Sequence, residues 1–163
     1  MPEGTIYRYI SSKDDILHLI CVKYARGRER LNEILTGAGN VSVTDTLRAC
    51  LRGYFQTCDR GREHNLFFNR EIHYFSHEDR RFLLEAQIGV THFFKDLLDK
   101  GIQAGEFQMK SSLAVAHNIL MLGHDWGLRR WFLSRHFTLE EYSEIQIELL
   151  FKQITTDCNG QGR

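Results

Sequence analysis

Thr5, Tyr7, Arg8 and Lys13 gather hydroxyls and cations near the start of this 163-residue chain. Groups of this kind hold phosphate oxygens, the hydroxyls by donating and the cations by charge-assisted bonds. Their setting is the end of a short helix, a turn, and the start of a long helix. Ser12 followed at the third position by Asp15 gives a capping-box-like start, and the carboxylates of Asp14 and Asp15 fall at the positive end of the helix dipole.

A second set comes from the eight histidines, where His117, His124 and Asp125 invite a metal reading. The spacing argues against it: seven residues span about 10.5 Å along a helix axis, too far for two imidazoles to reach one ion at ~2.0 Å. His73 and His77 lie four apart, but Ser76 with Asp79 caps a helix between them. Cys50 or Cys58 beside a histidine, with Glu71 or Asp125 as an acid, makes a nominal catalytic set whose geometry no motif fixes. There is no glycine-rich phosphate loop and no nucleophile elbow. The residues therefore read as a non-enzyme, with no metal site and no cofactor.

The elements that must position these groups are helical. One proline, at position 2, leaves the rest of the chain free to be helical, and 42% hydrophobic with 12% aromatic content supports one packed domain. Leu17, Ile20, Tyr24, Leu31, Ile34 and Leu35 mark one side of a helix running from Lys13 to about Leu35. Ser42 with Asp45 opens a second, carrying Leu47, Leu51, Tyr54 and Phe55 inward before a polar break at 59–62. An aromatic segment over 65–75 follows. Ser76 with Asp79 opens a long helix ended by Gly101 and Gly105. Ser111 or Ser112 opens the next, Leu113 to about Leu133, which is apolar on almost every side and must be covered all round. Gly123 and Gly127 on it allow another helix to come close. Thr138 with Glu141 caps a last helix bearing two apolar stripes, which implies two neighbours. No strand-like alternation competes with this pattern, so the fold class is all-α.

Charge adds an exclusion. Lys+Arg and Asp+Glu each total 21, so nothing in the net charge of zero points to nucleic acid or an anionic membrane. No apolar run approaches the ~18 residues of a membrane span. Cys21, Cys50, Cys58 and Cys158 form no CxxC pair, which suits reduced thiols in a cytoplasmic protein.

The opening stretch resembles the TetR-type transcriptional regulators, through Gly4, Thr5, Ile6, Tyr7, Tyr9, Ser12, Lys13, Asp14, Asp15 and Ile16, with Ile10 where the family usually has phenylalanine. The segment 121–132 resembles the matching helix of the lipid- and acyl-CoA-responsive members. The resemblance implies a helix-turn-helix cut off inside its second helix. Residues 1–11 are then a loosely held or repacked remnant of the DNA-reading helix, 12–158 the helical ligand-binding and dimerisation domain with 12–36 as its linking helix, and 159–163 a tail. It also implies operator DNA as the partner of the intact protein, with Thr5, Tyr7, Arg8 and Lys13 as its contacts and the linking helix as the lever.

Two further sites follow. Phe67, Phe68, Tyr74 and Phe75, with Phe93, Phe94 and Met121 on neighbouring helices, either form an ordinary core or line a cavity with Arg70, Asn118, His117 or His124 as its few polar anchors. The resemblance favours the cavity and suggests a small hydrophobic effector, an acyl compound or its CoA thioester. It also implies a homodimer through the last two helices, expected at Leu122, Trp126, Leu139, Tyr142, Ile147, Leu150, Phe151 and Ile154. The alternative is a dimerising interaction protein that does not bind DNA by itself.

Overall fold

The computed structural model describes His18, residues 31–34 and residues 41–155. The expected DNA contacts Thr5, Tyr7, Arg8 and Lys13, the remnant 1–11, most of the linking helix and the tail 159–163 lie outside the described residues.

From residue 41 the chain forms α1 (Val43–Arg60), α2 (Arg62–Glu71), a single 3-10 turn (Ile72–Tyr74), α3 (His77–Gln103), α4 (Ser112–Leu128), the one-turn α5 (Arg130–Leu133) and α6 (Leu139–Ile154). The described residues contain no strand, and the all-α expectation holds. Helix starts fall at the expected caps. The Ser42 and Ser76 hydroxyls accept from the Asp45 and Asp79 amides at 3.0 Å. Thr138 and Glu141 form a reciprocal capping box, and Ser111, rather than Ser112, caps α4.

Helix α1 is the central post, touching α3, α4 and α6. Its inward side is the expected one: Leu47, Leu51, Tyr54 and Phe55 are all buried. Leu31 joins the same core at 1% exposure. Aromatic edges lock the layers, with Phe55 on Tyr142 at 5.8 Å and Tyr54 on Phe94 at 5.4 Å between ring centroids. Burying each such side chain is worth about 1.5–3 kcal/mol. A smaller cluster of Phe68, Phe75 and Leu83 sits apart, flanked by Phe67 and Phe82.

Two expected helix ends move. The long helix does not stop at Gly101 but runs to Gln103, where Gly105 takes the left-handed conformation at φ 74°. The Glu106 amide donates to the Gly101 carbonyl and the Gly105 amide to that of Ile102, a Schellman closure. Gly101 is needed for contact instead: a β-carbon there would stand 1.9 Å from the Phe107 ring. The following connection ties the domain together. Glu106 accepts from the Val43 and Thr44 amides at the start of α1, and the Gln108 amide donates to the Ile154 carbonyl at the end of α6. The second correction is at Arg129, where the helix expected to reach Leu133 breaks after Leu128. The break turns Arg130 back to donate to Asp59 at the end of α1.

Helix α4 is not covered all round by the rest of the chain. Gly123 faces Tyr54 and Cys58 of α1, and Gly127 faces Arg62 and Asn65 of α2, so both glycines admit the close neighbours expected of them. On the other side Leu113 and Met121 are 50% and 43% exposed.

Candidate functional site

That open side of α4 and the outer side of α6 enclose a groove of about 600 Å³. Val115, Met121, Leu122 and Leu128 line it from α4, with Asn118, His124 and Asp125 as polar members. Helix α6 supplies Leu149, Leu150, Gln146 and Gln153. The geometry follows from the two stripes of α6. Tyr142, Ile147, Leu150, Phe151 and Ile154 turn to the core, while Ile145 and Leu149 remain 42% and 48% exposed.

Two phenols hold the α4 backbone in register, Tyr54 donating to the Leu120 carbonyl at 3.0 Å and Tyr142 to that of Leu122 at 3.3 Å. Burial, with Asp125 nearby, pushes the Tyr142 hydroxyl up to about 12, so it stays a donor. Burial also lowers the proton affinity of His124 and favours neutral imidazole. Asp125 accepts from Arg129 Nε at 2.7 Å. The groove is therefore apolar with a neutralised rim, suited to receiving an apolar surface. Nucleophilic chemistry has no support nearby, since burial raises Cys50 to about 11 and Cys58 to about 12 and keeps both as thiols.

The expected effector-pocket residues fall in three places. Phe67 and Phe68 belong to the small aromatic cluster with Phe75. Phe94 is in the main core with Phe93 packed against it, and Met121 and His124 line the α4–α6 groove. Arg70, Tyr74 and His117 are exposed. Shared helical spacing puts side chains on one face, but α2 and α4 present those faces to different neighbours.

The expected dimer residues divide as well. Leu122 and Leu150 line the groove, and Leu139 packs against the core. Trp126, Tyr142, Ile147, Phe151 and Ile154 are consumed by the chain's own core. Of the apolar residues left outward, Met121 belongs to the expected effector pocket, while Ile145 and Leu149 are not among the expected dimer residues, because a stripe pattern says nothing of which face its own chain takes. The partner of Trp126 was missed too: its indole Nε1 donates to Asp59 Oδ1 at 2.9 Å, and Asp59 reads in sequence only as part of a polar break.

Residues 40–154 match the tetracyclin repressor-like C-terminal domain, which spans most of the chain. The chain belongs to the TetR family. Its fold is shared with solved TetR-family structures at low identity. A regulatory protein from Rhodococcus RHA1 is 22% identical with a TM-score of 0.76, over 94% of this chain and 80% of that one. A TetR/AcrR regulator from Thermobifida fusca YX-ER1 is 23% identical at 0.73, over 100% and 82%. AibR, solved with isovaleryl coenzyme A and operator DNA, is 19% identical at 0.70, over 94% and 82%. No curated protein matches the sequence. As a TetR-family member the chain is a transcriptional regulator and not an enzyme. Among the described residues no helix is long and apolar enough to cross a membrane.

Proposed function

We propose that this TetR-family chain is the effector-sensing and dimerising part of a regulator whose two copies join across the α4–α6 groove. The observation that carries this reading is the exposure of Met121 and Leu149, which both line that groove and are each more than 40% exposed beside a well-filled core. Exposed apolar residues of this kind beside a groove mark contact surfaces. A small hydrophobic effector, an acyl compound or its CoA thioester, binds beside the Phe67, Phe68 and Phe75 cluster. The acyl-CoA ligand of AibR supports that class. Binding biases the linking segment, and with it the operator contacts assigned to Thr5, Tyr7, Arg8 and Lys13. The setting is cytoplasmic.

Sedimentation velocity at micromolar concentration tests the homodimer; a strictly monomeric chain would remove it. Native mass spectrometry of the purified protein tests the effector, expecting a co-purifying acyl species. The formal net charge of zero favours a second reading, a dimerising partner that does not bind DNA by itself. A DNA-mobility titration separates the two: salt-sensitive, sequence-selective shifts support the regulator, and their absence supports the partner.

A further inference from the structure

Asp79 stands at the third position of α3 behind its Ser76 cap. One carboxylate oxygen is used locally, since Oδ2 accepts from Ser76 Oγ at 2.7 Å while the Asp79 amide donates to that same Oγ at 3.0 Å. The other oxygen leaves the helix. Oδ1 meets Nδ1 of His18 at 2.9 Å, across 61 positions of sequence. The Asp79 side chain is only 8% exposed, whereas His18 is 59% exposed. A carboxylate so placed satisfies its outer oxygen through the imidazole, with the α3 dipole supporting the charge. Because a carboxylate only accepts, the bond requires a proton on Nδ1 of His18.

The turn that carries Asp79 is also held by the small aromatic cluster. Phe75 is buried immediately before Ser76, and Leu83, one turn beyond Asp79, packs with Phe75 and Phe68. Phe75 and Leu83 thus flank this turn on both sides, so a displacement of the cluster would be felt at the Asp79 carboxylate.

We infer that the His18–Asp79 hydrogen bond is a latch that ties the linking segment to the first turn of α3, so that displacement of the aromatic cluster is passed to residue 18. The inference rests on the proposed effector-sensing function and supplies its mechanical contact. His18 and Asp79 act as positioning residues. A contact between a nearly buried acceptor and an exposed donor has two discrete states, made and broken, and that bistability is what a switch requires.

The test uses the full chain without effector or DNA, so a failure of the regulator reading, which the mobility titration detects, remains separate. Hydrogen exchange is followed in the peptide containing His18 and in 77–83 for His18→Ala, Asp79→Asn, the double variant, and Ser76→Ala as a cap-only control. The latch predicts that His18→Ala speeds exchange in 77–83 by about tenfold. It also predicts that Asp79→Asn speeds exchange around His18, that the double variant adds nothing to either single one, and that Ser76→Ala acts on 77–83 alone. Unchanged exchange in 77–83 for His18→Ala, or additive effects, overturns it. Nitrogen NMR supplies an independent reading that does not depend on any variant folding: the wild-type spectrum must show His18 protonated at Nδ1, and an Nε2-only tautomer sinks the proposal.

Discussion

Trp126 Nε1 donates to Asp59 Oδ1 at 2.9 Å, and Arg130 Nη1 donates to the same oxygen at 2.5 Å. One carboxylate at the end of α1 thus holds both the last turn of α4 and the first residue of α5. Trp126 is only 1% exposed, so Asp59→Ala strands a buried indole N–H and should cost about 1–3 kcal/mol in chemical denaturation. Arg130→Ala should cost less, because its side chain is 39% exposed and leaves no buried donor behind.

Two glycines one helical turn apart should respond in opposite directions. A β-carbon at position 123 would lie 2.4 Å from Tyr54 and 2.8 Å from the Cys58 sulfur, whereas one at 127 would meet nothing nearer than 3.6 Å. Gly123→Ala should therefore lose about 1–3 kcal/mol by overpacking. Gly127→Ala should gain up to about 0.5–1 kcal/mol from helix propensity. Thermal melts of the two variants compare them directly.

The legible part of the fold is the local part. Ser42 with Asp45, Ser76 with Asp79 and Thr138 with Glu141 announce their helices because a cap is completed within a few residues. The site was less legible because it depends on distant pairs. Nothing near Trp126 in sequence indicates that its N–H is taken by a residue on α1, and nothing near Arg130 indicates the pull that ends α4. The same limit applies to α6, where Ile147 and Leu149 are equally apolar and two positions apart. Only the placement of α1 sends the first inward and leaves the second outside.

That pair separates the core from the proposed interface. Leu149→Glu should leave the melting temperature of the isolated subunit nearly unchanged while converting a sedimenting dimer to monomer. Ile147→Ala, at a fully buried position, should cost about 2–5 kcal/mol. If Leu149→Glu sediments as the wild type does, the groove is not the contact between copies.

Acid should weaken the fold in two stages. Burial holds His124 below its ordinary value of 6.5, so the folded chain binds fewer protons there than the unfolded chain. Stability is then present above that value and declines as pH falls through it. Lower down, Glu144 is depressed by its bond to Arg52 and Glu141 by the Thr138 amide, both from 4.5, and they add a second loss as they protonate. Melting temperatures from pH 7.5 to 5.5 should fall, and His124→Gln should flatten that slope while leaving the acidic one.

The buried thiols give a simple check on core integrity. With Cys50 raised to about 11 and Cys58 to about 12, neither should react with iodoacetamide at pH 7.5 until denaturant opens the core. Mass spectrometry of tryptic peptides reads each site separately, and rapid labelling of Cys58 in the native chain would contradict its packing against Gly123.

The connection holding Glu106 and Gln108 grips the first residues of α1 with one and the last residue of α6 with the other. Since two residues of chain span only about 7 Å, Val43 and Ile154 must lie within roughly 20 Å of each other. The start of α1 and the end of α6 therefore sit at one end of the bundle and are pinned by a single loop, so whatever loosens that loop frees both at once.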